Sequence, residues 1–254
     1  MYNRKDIVKD LRKLGIKETD SLMVHSSMKA IGDCENGADT VLDALMEAVG
    51  GGLLVLPTHT WASMNEEHSL YDPIKEPSCV GILTELFRQR PGVKRSLHPT
   101  HSVAAWGKDA ENFTSGQENE STPCSLNSCY HRFYERNGKI LLIGCTFNRN
   151  TFLHGVEEWF PIKERLTDWT LPLKIQMPDG SQKECKMQKH FKPGGISISE
   201  YYEKIRKPWI REGIVKEGRI GNAEAYLMDA KVIADRFTEI LKQDRDAFLD
   251  NRPL

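Results

Sequence analysis

His154 and Glu157 stand three residues apart in the stretch NRNTFLHGVEEW, residues 148–159, so on a helix they share one face. A carboxylate beside an imidazole fixes which ring nitrogen carries the proton and raises its basicity, which is what a general base needs. The same spacing suits a surface histidine beside a solvated acidic cluster, and spacing alone does not choose between the two. Further histidines recur where apolar runs end: His25, His59, and the pair His98 and His101 in HPTH. That pair resembles half of a metal site, but no HExxH and no acidic residue at ligand spacing accompanies it, so no metal is expected. His25-Ser26-Ser27 ahead of Met28-Lys29 offers hydroxyls and backbone N–H groups at a strand-to-helix turn. Such a turn can take a phosphate or an amide-rich ligand, or simply cap a helix. Carboxylates are dense on the expected rim (Glu66, Glu67, Asp72, Glu118, Glu120, Glu157, Glu158 and Asp168), which favours a cationic ligand or a merely solvated face.

The elements that must position these groups are legible in outline. KILLIGC, residues 139–145, has the length and residue types of a buried strand leading into the His154 stretch. A strand end feeding a helix start is where open α/β sheets place their chemistry. SLMVHSS, LLVLP and HSVAAWG read as further short strands, and their apolar runs do not alternate, which suits strands covered on both faces. Asn3 caps a first helix with Ile7, Val8, Leu11 and Leu14 on one stripe, stopped at Gly15. Residues 37–49, 80–90 and 129–137 read as helices, and 61–77 as a long loop. LPLKIQMP, the turn Asp179-Gly180 and SQKECKMQKHF read as a β-hairpin, and residues 223–243 as one final helix. No repeat or linker divides the chain, so residues 1–254 are expected to form a single domain.

Composition excludes several classes. A formal net charge of −1 gives no reason to expect nucleic acid or a polybasic membrane contact. No apolar run approaches the ~20 residues of a membrane span, and the start lacks a signal-peptide core. The six cysteines are scattered without a CxxC pair, which points to reduced thiols in a cytoplasmic protein. No GxGxxG or GxxxxGK[ST] marks a nucleotide, and Cys145 lacks the GxSxG-type elbow of a nucleophile.

Five segments taken together resemble one family. They are VHSSMKAIG, GGLLVLPTHTW, DPIKEPSCVGILTELFRQRPGVKRSLHPTHSVAAWG, KILLIGCTFNRNTFLHGVEEW and EGRIGNAEAYLMDA. In order and over nearly the whole chain they are similar to the aminoglycoside 3-N-acetyltransferase family, acetyl-CoA-dependent enzymes distinct in fold from the GNAT acetyltransferases. The resemblance implies a three-layer α/β/α sandwich around a mixed central sheet, with the β-hairpin added in the C-terminal third. It implies a cleft that takes acetyl-CoA from one side and an amine from the other. His154 then looks like the general base and Glu157 its partner. His25, Ser26, Ser27, Lys29, Ser96, His98, Ser102 and Val103 fall in segments similar to those that contact CoA. Asp72 and Glu158 become expected contacts for a polycationic acceptor, whose 3-amino group on 2-deoxystreptamine would receive the acetyl group. Backbone N–H groups near Ser102 and Val103 are considered for the oxyanion. A homodimer is the working expectation.

One segment departs from the family. TPCSLNSC, residues 122–129, stands where a TPFGxGSP-like run is usual, and losing glycine and proline there puts the acceptor in doubt. Two alternatives therefore stay open: transfer to another small amine metabolite, or CoA binding without aminoglycoside activity.

Overall fold

The short apolar runs become the middle of a seven-stranded mixed sheet. The computed structural model describes residues 1–160, 162–192 and 199–254. The first half of the chain runs α1 (Arg4–Leu14), β1 (Ser21–Ser26), α2 (Met28–Ile31), α3 (Ala38–Ala48), β2 (Leu53–Pro57) and β3 (Leu70–Tyr71). It continues through α4 (Ile82–Arg88), β4 (Lys94–Arg95), β5 (Val103–Gly107) and α5 (Ala110–Thr114). The second half holds α6 (Cys129–Glu135), β6 (Lys139–Ile143), α7 (Thr151–Trp159), β7 (Leu171–Gln176) and β8 (Gln182–Met187). It closes with α8 (Arg206–Arg211), β9 (Val215–Ile220), β10 (Ala223–Asp229) and α9 (Ala230–Gln243).

The large sheet has the order β4-β5-β2-β1-β6-β10-β9. Its centre, β2-β1-β6, is parallel, and β5 and β10 flank it antiparallel. Alternate residues of β1 feed opposite cores. Met23 packs with Phe152, Leu153 and Phe237 of α7 and α9 on one face, while Leu22 and Val24 pack with Leu11 and Leu45 of α1 and α3 on the other. Helices on both faces give the three-layer α/β/α sandwich that the resemblance implies. They also explain why the central strands are apolar throughout rather than alternating.

The expected hairpin is β7–β8, and β3 joins it in parallel to make a separate three-stranded sheet. Buried and exposed residues alternate along β7, so Leu171, Leu173 and Ile175 face a small core with Tyr71 and Met187. No helix among the described residues is long and apolar enough to cross a membrane.

The C-terminal third corrects one expectation. Residues 223–229 are strand β10, and the last helix begins only at Ala230. Gly221, at φ +57°, and Asn222 reverse the chain out of β9. β10 then hydrogen-bonds to β9 on one side and β6 on the other. Those two ladders outweigh the weak helical preference of its Ala, Leu and Met residues. Along β10 Tyr226 and Met228 face one core and Ala225 and Leu227 the other, a period of two that a helical reading of the same apolar residues misses.

All three parallel strands point their C-terminal ends the same way. The chain leaves them at Ser27, Thr58 and Gly144, which places His25-Ser26-Ser27, His59 and Cys145 at one edge of the sheet. Gly144 is tightly confined there. Its φ is +62°, and a Cβ on it would stand 2.3 Å from that of Ala30 and 3.2 Å from that of Ala223. Gly144→Ala is expected to cost about 1–3 kcal/mol, the range for overpacking with added backbone strain. Urea unfolding midpoints checked against wild type measure this directly, and an unchanged midpoint would show the turn to be free.

Candidate active site

A cavity of about 920 Å³ opens at this strand-end edge. The strand ends supply His25, Ser26, Ser27, His59 and Cys145, and the first turns of α7 supply Thr151 and His154. The segment after β8 closes it from above with Lys189, His190 and Lys192. Arg149, just before α7, is exposed at its wall and makes no salt bridge among the described residues.

His154 is the end of a buried hydrogen-bonded series. Its Nδ1 lies 2.9 Å from the Tyr202 hydroxyl, which donates to Glu157 Oε2 at 2.5 Å. The other carboxylate oxygen accepts from Arg165 Nε at 3.2 Å. Glu157 and Arg165 are each only 1% exposed and Tyr202 is fully buried. His154 and Glu157 therefore do share a face of α7, but the expected direct contact is replaced by a bridge through Tyr202. Burial drives the Glu157 pKa up, while Tyr202 and the Arg165 charge pull it back. Burial also drives Tyr202 well above the ordinary phenol value and His154 well below the ordinary imidazole value, the nearby histidines adding to the latter. Burial thus favours the neutral form of the His154 ring.

Histidines that lie far apart in the chain meet at this cavity. Ring centroids are 4.7 Å apart for His59 and His101, 5.2 Å for His101 and His190, and 4.5 Å for His190 and His154. Burial lowers the pKa of His25, to about 4, and that of His59, His98 and His101. His59 Nε2 is 2.7 Å from the Tyr130 hydroxyl, whereas His25 Nε2 is buried without a hydrogen-bond partner among the described residues.

The residues expected to contact CoA divide into two groups. His25, Ser26 and Ser27 line the cavity; Lys29 is exposed on α2 and does not. Ser96, His98, Ser102 and Val103 lie behind its wall, with their polar groups already committed. Ser96 Oγ accepts from the Val103 N–H at 3.0 Å, and Ser102 Oγ donates to the Thr58 carbonyl at 2.7 Å. His98 Nδ1 accepts from the His101 N–H at 2.9 Å, and its Nε2 lies 3.0 Å from the Thr122 carbonyl. The Val103 N–H is thus not available to an oxyanion.

The two carboxylates expected to meet a cationic acceptor are also occupied. Asp72 accepts from the backbone N–H groups of Ile74 and Lys75 in its own turn. Glu158 is not on the rim: its side chain is 4% exposed, and Oε1 is held by the Cys124 N–H at 2.8 Å and by His190 at 2.7 Å. Together with Trp159, whose Nε1 donates to the Cys124 carbonyl at 2.8 Å, Glu158 fastens the 122–129 segment to α7. Cys124, Glu158 and His190 offer a thiol, a carboxylate and a ring nitrogen within 4.8 Å of one another, but the carboxylate oxygen is already spent on the other two residues.

Sequence reading missed Tyr202, Arg165 and His190. Tyr202 is 48 residues from His154, and no spacing rule connects them. A surplus of histidines at strand ends was the one available signal, and it pointed to His59 and His101 singly rather than as a group.

The family model described as aminoglycoside 3-N-acetyltransferase matches residues 23–242. Aminoglycoside N(3)-acetyltransferase III of Acinetobacter baumannii is 31% identical over 258 residues, covering 92% of this chain and 89% of that protein. Among solved structures, AAC-IIIb in binary complex with CoASH is similar at a TM-score of 0.84 and 25% identity, covering 95% of this chain and 97% of its own. A histidine-to-alanine mutant of aminoglycoside acetyltransferase AAC(3)-IVa in complex with a gentamicin is similar at 0.84 and 26%, covering 98% and 92%.

The neutral histidines make stability depend on pH with a definite sign. In the unfolded chain an imidazole takes up a proton below about pH 6.5, whereas the folded protein resists protonation until lower pH. Their contribution is present above that pH and is lost as pH falls through the folded values, about 4 for His25. For His25 alone the loss is on the order of 3 kcal/mol. The melting temperature is expected to fall steadily between pH 6.5 and 4 in calorimetry, and a flat profile would contradict the neutral cluster.

Proposed function

The chain belongs to the aminoglycoside 3-N-acetyltransferase family, and from that premise we propose that His154 acts as general base in direct acetyl transfer from acetyl-CoA to an acceptor amine. The observation that carries the reading is the neutral His154 ring in the cavity wall, with its Nδ1 engaged by Tyr202. The relatives solved with CoASH and with gentamicin support acetyl-CoA as donor and an aminoglycoside amine, the 3-amino group of 2-deoxystreptamine, as acceptor. In this reading residues 1–254 work as one domain.

An ammonium group has no lone pair, so the acceptor must lose a proton before it attacks the thioester. Solvent takes that first proton, and His154 takes a second through its free ring nitrogen as the neutral amine forms the N–C bond. The C–S bond then breaks, and the imidazolium returns the proton to the departing CoA sulfur. Both substrates are held at once, and no acetyl-enzyme is formed. The cavity thiol nearest the strand end, Cys145, is a poor nucleophile because burial pushes its pKa up to about 11. Ser26 and Ser27 offer hydroxyls to the donor, and Arg149 and Lys189 complement its phosphates.

A second acceptor class has one observation in its favour. Among the described residues that line the cavity none is Asp or Glu, while Arg149, Lys189 and Lys192 are cationic. An amine of lower charge than an aminoglycoside would enter such a cavity without leaving ammonium groups unpaired.

Thiol release from acetyl-CoA, measured against aminoglycosides and small monoamines, tests both readings. Activity on at least one 2-deoxystreptamine compound is expected, with a loss of ~10²-fold or more in His154→Ala. Undiminished turnover in that variant would remove His154 as base. Activity on monoamines alone would leave the chemistry standing and change the acceptor.

A further inference from the structure

We infer that Tyr202 is the positioning residue that sets the tautomer of His154, keeping the proton on Nδ1 and leaving the other ring nitrogen bare. The inference rests on His154 as base and concerns how that base is prepared.

A tyrosine has one O–H proton. Here it goes to Glu157 Oε2 at 2.5 Å, since the carboxylate accepts at both oxygens, the other being occupied by the Arg165 guanidinium. The phenol oxygen then has only lone pairs left for His154, so the Nδ1 atom 2.9 Å away must carry the hydrogen. A neutral imidazole has one N–H, and Nε2 is therefore the acceptor nitrogen. The hydroxyl has little freedom to choose otherwise. Tyr202 is fully buried, and Phe237 and Phe248 stand edge-on to its ring at centroid distances of 5.5 and 5.6 Å.

Interposing a phenol also differs from a direct carboxylate contact. A carboxylate against the ring would place a full negative charge beside it and favour imidazolium. Here Arg165 balances the Glu157 charge, and the histidine meets a neutral oxygen instead. Its orientation is fixed while the ring stays unprotonated, and the polarised phenol still supports the positive charge that develops during proton uptake.

The tautomer is readable in the wild-type enzyme. With ¹⁵N-labelled histidine, the His154 signals are expected to show a protonated Nδ1 and a bare Nε2. Tyr202→Phe keeps the ring packing and deletes the hydroxyl. It is expected to mix the two tautomers and lower kcat by roughly 10-fold or more, part of the range for general-base catalysis, with KM for acetyl-CoA little changed. A proton on Nε2 in the wild type overturns the inference, as does Tyr202→Phe at full kcat beside an inactive His154→Ala. Full turnover in His154→Ala instead overturns the base reading and takes this inference with it. If Tyr202→Phe does not fold, the wild-type spectrum alone decides.

Discussion

The ion pair between Glu157 and Arg165 is the constraint on which the rest of the site depends. Both side chains are 1% exposed, and two charges so deeply buried persist only when paired and fully hydrogen-bonded. Glu157 satisfies this with Arg165 on one oxygen and Tyr202 on the other. Arg165 also donates to the Arg245 carbonyl at 2.7 Å, beyond the end of α9. One interaction thus ties α7, the turn at Lys163–Arg165, the turn at Tyr202–Ile205 and the C-terminal segment together. Removing Arg165 would leave the Glu157 charge buried beside a neutral phenol, and removing Glu157 would leave Arg165 only the exposed Asp246 at 3.9 Å, either cost large enough to loosen all four segments.

Burial is met differently by the histidines of the cavity and by the carboxylate of Glu157 behind it. For the carboxylate, an adjacent guanidinium offsets the penalty. For the cavity imidazoles no carboxylate among the described residues stands in direct contact except at His190, which pairs with Glu158. Burial and mutual repulsion therefore keep the others uncharged. Such neutral rings can exchange hydrogen bonds without adding charge. The positive charge on the cavity lining is left to Arg149 and Lys189, with Lys192 buried and its ammonium donating to the Phe248 carbonyl at 2.6 Å.

The segment at 122–129 acquires a definite role in this light. Its departure from the family pattern suggested an altered loop near the acceptor, and its physical effect is visible in what it holds. Glu158 and Trp159 at the end of α7 are both turned onto Cys124, and Gly155 permits the close approach, since a Cβ there would stand 2.8 Å from the Trp159 ring. The helix that carries His154 is thereby clamped at its C-terminal end, and Glu158 is drawn away from the rim where a cationic ligand could have met it.

Local pattern by itself determined the central strands β1, β2, β5 and β6, the β7–β8 hairpin, most helices and the placement of chemistry at strand ends. Apolar runs of five residues bounded by glycine and proline admit few other readings when helices cover both faces. It also singled out His154 and Glu157, because three residues on a helix is a local distance. Residues 223–229 escaped it, since Ala, Leu and Met fit either period and only pairing with β6 and β9 decides. The tertiary structure alone decided that Tyr202 stands between His154 and Glu157, that Arg165 balances the carboxylate, and that Glu158 faces inward. These contacts join segments up to 48 residues apart, and closing such loops is set by packing of the whole core, which leaves no periodic trace in the chain.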